Sequence, residues 1–301
     1  MKKHAYLIIA HTDEYCLTRL LECIDDERND IYLLIDKKSS LKFQFQTQYS
    51  SFYLLERYDI RWGDISQVEA ELRLLEAATA KSHYHYYHLL SGQDLPIKTQ
   101  DFIHDYFNST ISGENYIAFF DSAEYLNDLK ERVIYRVPFT RSLRCDGIKG
   151  LLLNKLRTLA VDFQRHLGIK RKIDNTDFRK GANWFSITDE FARYVLSHRA
   201  WIFKTFSHII SSDELVLQTL IWNSPYKGTI HNIRDEYEGC MRAIDWNRGT
   251  PYVWRNRDYN ELIASDKLFA RKFDSKVDRD IIDTIFKRVV CKRQNANCTE
   301  Y

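Results

Sequence analysis

The chain has 301 residues, enough for one large domain or two modest ones with a sizeable core. Apolar residues make up 44% and charged ones 29%, with only 10 Gly and 4 Pro, which argues against long disordered linkers. The 44 Lys and Arg against 42 Asp and Glu leave almost no net charge, which argues against a nucleic-acid-binding protein.

The 19 Tyr, 17 Phe and 6 Trp suit a surface that stacks sugar rings or bases, and equally a thick core. Cysteines 16, 23, 145, 240, 291 and 298 form no CxxC pair and no zinc spacing, so they read as free thiols in a reducing compartment. The N-terminal apolar run is about six residues long, too short for a secretory segment or a membrane span.

In chain order, AYLIIA (5–10) has the continuous apolar character of a strand buried on both faces. A helix with Leu17, Leu20, Leu21 and Ile24 on one side follows, then a second buried strand, IYLLID. Strand, helix and strand in this order predict a βαβ unit of a parallel sheet, whose ligands sit at the strands' carboxyl ends. His11 and Asp36 stand at those ends. A short strand is expected at DIRW (59–62), ending on Trp62, then a helix over about 66–81. HYYHLLS is a third central strand. Thr99 suits the cap of the next helix, with Phe102, Ile103, Tyr106 and Phe107 sharing a face. NYIAFF is a further strand candidate closing on Asp121. Residues 122–172 are basic, with Arg132, Arg136, Arg141 and Arg144 spaced along them, and read as partner-facing helices or loops. NWFSIT (183–188) returns to strand character, followed by helices in DEFARYVLSH and SSDELVLQTLIWNS and a C-terminal helix near 281–290.

Four groups of residues carry chemistry. Asp36, with His11, holds the position where an acid accepts hydrogen bonds from a nucleotide ribose or base, although no GxGxxG precedes it; helix capping or loop ordering is the bland reading. In SGQDLP, Gly92 and Asp94 make an ordinary turn, or a ligand edge on a rigid sheet. Ser211 and Glu214 form a capping-box pattern, which leaves open a pre-oriented general base in the first turn. Arg242, Arg248, Arg271 and Lys272 are either a solvated basic face or a clamp on a diphosphate leaving group. The only Asp-x-Asp string, Asp278-Arg279-Asp280, falls inside a helical pattern and is a poor metal ligand set.

These blocks resemble the core-2/I-branching glycosyltransferases, a family that includes peptide O-xylosyltransferases. The resemblance is carried by YHLLSGQDLPIKTQDFIHDYF, ANWFSITDEFARYVL, SSDELVLQTLIWNS, MRAIDW and LFARKFD, in the family's order. It implies an α/β fold of the GT-A type with a Rossmann-like nucleotide-binding sheet. A single catalytic domain is expected: a nucleotide-binding half (1–120), a basic variable insertion (121–180), and an acceptor-binding, catalytic half (181–301).

The resemblance further implies inverting transfer from a UDP-sugar to a glycan hydroxyl without a divalent metal or other cofactor. GlcNAc or xylose are the leading donors. A glycan or lipid-linked oligosaccharide is the acceptor, and cell-surface polysaccharide synthesis the setting. It assigns the base to Glu214, the uridine-contacting acid to Asp36, and the diphosphate-binding Lys to Lys272. The partner Arg falls on Arg242 through a gap; an ungapped alignment puts Gly249 there with Arg248 beside it, and Arg271 stands beside Lys272. Trp62, Gly92, Asp94 and Trp184 line the donor or acceptor pocket.

Against the animal members of the family, the expectation is of a chain without their membrane anchor, stem and disulfide-forming cysteines. The expectation is therefore a short bacterial-type member in the cytoplasm, with the basic 132–172 region suited to an anionic membrane face or a lipid-diphosphate acceptor. A UDP-sugar hydrolase and a non-catalytic carbohydrate-binding protein remain as alternatives.

Overall fold

The computed structural model describes residues 2–109, 113–120, 129, 132–171 and 176–296. Strand β1 (His4–Ala10), helix α1 (Glu14–Ile24) and strand β2 (Asn29–Ile35) form the expected βαβ unit, paired in parallel from His4 opposite Asn29 to Ala10 opposite Ile35. Both strands are buried along almost their whole length, as their unbroken apolar runs require. The Asp13 carboxylate accepts from the Cys16 N–H at 3.0 Å and caps α1.

The strand expected at 59–62 is a loop, continued only by an isolated bridge between Asp36 and Tyr58. Its polar side chains point to ion pairs instead: Asp59 meets Lys38 at 3.0 Å and Arg141 at 2.8 Å. The neighbour of β2 is β3 (Ser51–Leu54), a half-exposed edge with Tyr53 stacked on Tyr32 at 4.8 Å. Four residues without clean alternation gave it little sequence signal.

Helix α2 (Ser66–Lys81) has the predicted bounds and buries Val68, Leu72, Leu75 and Ala78. Strand β4 (Tyr86–Ser91) runs parallel to β1, and β5 (Asp94–Pro96) leads to α3 (Gln100–Ser109). Thr99 accepts from the Phe102 N–H at 3.2 Å, but Phe102 itself is exposed while Ile103 and Phe107 are buried. Of NYIAFF only β6 (Tyr116–Ile117) is strand; Asp121 lies outside the described residues. The basic region contains α4 (Gly147–His166). Strand β7 (Phe185–Thr188) and helices α5 (Asp189–Ser197), α6 (Arg199–Phe206) and α7 (Val216–Trp222) follow, then β8 (Arg242–Ile244) and β9 (Phe269–Arg271).

The main sheet has the order β3-β2-β1-β4-β7-β6. Its first four strands are parallel, and β7 and β6 join antiparallel. One face packs against α1 and the C-terminal helix Arg279–Ala296, the other against α2, α5 and α7, giving two apolar cores. A second sheet, β5-β9-β8, stands beside the carboxyl end of β4. Asp278 caps the C-terminal helix through the Ile281 N–H at 3.1 Å, the structural reading of the Asp-x-Asp string. Cys16, Cys23, Cys145 and Cys240 are free thiols among the described residues.

Candidate active site

A cleft of roughly 1330 Å³ crosses the carboxyl ends of the parallel strands, at the order reversal of the sheet between the paired strands β1 and β4. His11, at the end of β1, and Asp36, at the end of β2, both line it. Burial and the nearby Lys272 charge lower the His11 pKa, so the ring is neutral at physiological pH. Lys38, which also lines the cleft, holds both Asp36 oxygens at 2.7 and 2.8 Å, and its N–H donates to Oδ1 at 2.9 Å. A carboxylate has about four acceptor positions. Asp36 therefore keeps one free for a ligand while its orientation is fixed.

The SGQDLP turn supports the wall from beneath. The Ser91 N–H and hydroxyl donate to Asp94 at 2.7 and 2.8 Å. Asp94 is buried and accepts from Arg271 Nη1 at 2.6 Å; the same nitrogen donates to the Ser91 hydroxyl. Register does this, because β5 pairs with β9 so that Asp94 faces Arg271. Gly92 is required by close approach: a Cβ there would meet the Ala10 Cβ at 3.0 Å. Neither Gly92 nor Asp94 lines the cleft; Ser91, Gln93, Arg271 and Lys272 do. The Arg271 guanidinium lies 4.3 Å over the Trp184 ring, another lining residue, and the Lys272 amino group has no partner among the described residues. Trp62 also lines the cleft, with the Arg144 guanidinium at 4.1 Å over its ring.

The structure does not bring Arg242 or Arg248 to the cleft. Arg242 is 1% exposed and donates to the carbonyls of Cys240 at 2.7 Å and Phe185 at 2.9 Å and to the Ser186 hydroxyl at 3.2 Å. Burial lowers its pKa to about 10. Nη1 and Nη2 are spent on interior acceptors and only the buried Nε lacks a partner among the described residues, so the side chain is a brace between the sheets. Arg248 is held on the surface by Asp245, Asp258 and Glu261. Gly249 and Arg248 thus precede the lining residues Thr250 and Pro251 without joining them.

Carboxylates gather at another part of the wall. Glu214 ends a short 3₁₀ turn (Ser212–Glu214) before α7 and pairs with Lys180 at 3.3 Å. The expected capping box is absent: Ser211 has a left-handed backbone (φ 54°) and makes no side-chain cap. Its N–H bonds the Gly63 carbonyl at 2.9 Å, tying the turn to the loop before α2. Asp213 is buried and accepts from the Gln67 amide at 3.1 Å, while its Oδ1 has no partner. Burial, then the Glu214 charge, pushes its pKa up to about 7. Glu71, buried in α2, is likewise raised well above the ordinary value by burial and by Asp213, with an unpartnered Oε1. All three carboxylates line the cleft.

Sequence reasoning missed Lys38, Glu71 and Asp213. Glu71 carried a signal, since it lies three residues after Val68 and four before Leu75, on the apolar face of its helix. A charge on a buried stripe marks a site. Lys38 and Asp213 depend on tertiary neighbours and carried none. Among the described residues, no group of three or more His, Cys, Asp or Glu side chains is placed to hold a metal ion.

A parallel half-sheet completed by two antiparallel strands, with cations and carboxylates around a cleft at its strand ends, is the architecture of a GT-A glycosyltransferase. The family described as Core-2/I-Branching enzyme matches residues 4–271. The chain belongs to that family of glycosyltransferases. It is also similar to a xylosyltransferase, sqv-6, of Caenorhabditis briggsae, with 28% identity over 137 residues. That match covers 39% of this chain and spans 17% of the length of the relative.

Proposed function

We propose that the protein is an inverting glycosyltransferase that moves a sugar, GlcNAc or xylose first among candidates, from UDP to a hydroxyl of a glycan or lipid-linked oligosaccharide, in cell-surface polysaccharide synthesis. The observation that carries this reading is the division of one cleft between Arg271 and Lys272 on one part of its wall and Glu214 on another. The uridine is held between His11 and Asp36. The acceptor oxygen forms a bond to the anomeric carbon as the bond from that carbon to the diphosphate breaks. The acceptor proton passes to the Glu214 carboxylate, and the departing diphosphate is met by Lys272 and Arg271. Glycoside and UDP are the products. One base suffices for a single displacement. Two cations, Arg271 held by Asp94 and Lys272, unpartnered among the described residues, supply the charge stabilisation that a divalent ion supplies in other transferases, so no metal is needed. Arg271, held by Asp94, takes the place that the sequence resemblance gave to Arg242.

The test is a transfer assay in EDTA across a panel of UDP-sugars, comparing the native chain with Glu214→Gln. The native chain should transfer, and the variant should lose about 10²–10⁴ in rate. Near-native rates in the variant would remove Glu214 as the base. Activity that appears only on adding manganese would overturn the cation clamp, and UDP release independent of any acceptor would favour a hydrolase.

A further inference from the structure

From the exposed face of α4, we infer that the protein docks on an anionic lipid bilayer, with this helix lying in the plane of the interface. Six large apolar side chains of α4 stand in water: Ile148, Leu151, Leu152, Leu156, Leu159 and Phe163, with exposures from 40% at Leu156 to 86% at Ile148. Their spacing puts them on one side of the helix, over about 22 Å of its length. Leu167 and Ile169, just beyond, are also half-exposed.

The opposite side is fastened to the protein at intervals of seven residues. Gly150 is packed so closely that a Cβ would meet the Cys145 carbonyl oxygen at 1.7 Å. Arg157 donates to the Phe139 carbonyl at 3.1 Å, and Gln164 exchanges hydrogen bonds with the Arg136 backbone at 2.9 and 3.0 Å. The apolar stripe is therefore not a core face waiting for its own chain. An exposed apolar surface of this extent needs a partner.

Charge identifies the partner. Residues 141–171 hold eight Lys or Arg against two Asp. Lys155 and Arg165 are exposed on α4 itself, and Lys170 follows it. An apolar stripe bordered by cations suits the boundary between headgroups and acyl chains, where each basic residue adds attraction to anionic lipid. A symmetric dimer through the same face would set these cations against their own copies. No described helix is long and apolar enough to cross a membrane, so the contact is peripheral. Arg144, Cys145, Asp146 and Lys149 line the mouth of the cleft and lead into α4, which places that mouth at headgroup level.

The experiment is flotation of the full chain with phosphatidylcholine vesicles, with and without about 30% phosphatidylglycerol. The chain should float with the anionic vesicles, stay below with the neutral ones, and detach as salt is raised. Leu152→Glu/Leu159→Glu/Phe163→Glu should cut the bound fraction about tenfold or more, with circular dichroism confirming its fold. Should that variant misfold, Lys155→Glu/Arg165→Glu decides, by losing the preference for anionic vesicles. Native chain that stays in solution, or variants that float as it does, would overturn the inference. So would a dimer in sedimentation velocity that the triple variant abolishes while no vesicle binding is seen. Flotation reads no chemistry, so the outcome is independent of the proposed transfer.

Discussion

Glu214 and Asp213 are adjacent, yet their surroundings divide the work. Glu214 is partly open to the cleft beside Lys180, where an acceptor hydroxyl can reach it. Asp213 is buried with one oxygen unpartnered, and burial followed by the Glu214 charge brings its pKa up to about 7. A group that titrates there adds a negative charge beside the proposed base as the pH rises through neutrality, and that charge favours the positive charge developing at the anomeric carbon during transfer. The rate of transfer should accordingly rise through an inflection near pH 7. Asp213→Asn removes the titrating group and should flatten that inflection. A pH profile of kcat for the two proteins checks this, and an unchanged inflection in the variant would assign it elsewhere.

At the scale of elements, the register of short strands decides which cation reaches the cleft. Strand β9 ends at the cleft, so Arg271 and Lys272 line it, whereas β8 runs inside and Arg242 braces it against the carbonyls of β4 and β7. The two positions therefore predict opposite phenotypes. Lys272→Ala should weaken UDP binding by about ten- to a hundredfold with little change in stability, since it removes one of the two charged contacts proposed for the diphosphate. Arg242→Met should cost roughly 3 kcal/mol of stability by orphaning buried carbonyls, while UDP affinity stays near native. Calorimetric titration with UDP and urea unfolding separate them; a large loss of UDP affinity in folded Arg242→Met would restore it to the site. This distinction was illegible in the sequence, because MRAIDW and LFARKFD both read as basic residues after apolar ones. Only the pairing of β5 with β9 sorts them. The long periodic elements were legible, with β1, α1, β2, α2 and β4 recovered nearly to their ends, since each carries an unbroken apolar run or a helical stripe. The 3₁₀ turn at Ser212–Glu214 was misread as a helix start because the left-handed Ser211 follows from its bond to Gly63, a partner far away in sequence.

For the whole molecule, the sequence made the Rossmann-like half and the place of the cleft legible, because strand ends follow from strand order. Buried polar groups were not legible, and they govern how the fold responds to acid. His4 and His88 are fully buried and hydrogen-bonded to each other at 3.0 Å, with His104 stacked on His4 at 4.0 Å. Burial holds His4 and His88 well below their ordinary pKa, and lowers His104 and His85 to about 4. Burial lowers His11 and His208 as well. Each folded value lies below the unfolded one near 6.5, so the unfolded chain takes up protons that the fold refuses. This stabilisation is complete above about pH 6.5 and is lost as the pH falls toward 4. Three carboxyls work in the opposite sense: Glu71, Asp213 and Glu236 are raised by burial, so the fold binds their protons more tightly, and they lend stability that fades as the pH rises. Between pH 6.5 and 4 the histidines therefore lower stability as acid is added, and the three carboxyls oppose them. Thermal melts across that range should show the Tm falling steadily with acid. His104→Gln, which keeps a donor for Asn29, should make the fall shallower. Asp213→Asn, which removes an opposing carboxyl, should make it steeper. A Tm that stays flat from pH 6.5 to 4, or variants that shift the slope in the reverse order, would mean that the buried imidazoles do not set the acid limit of this fold.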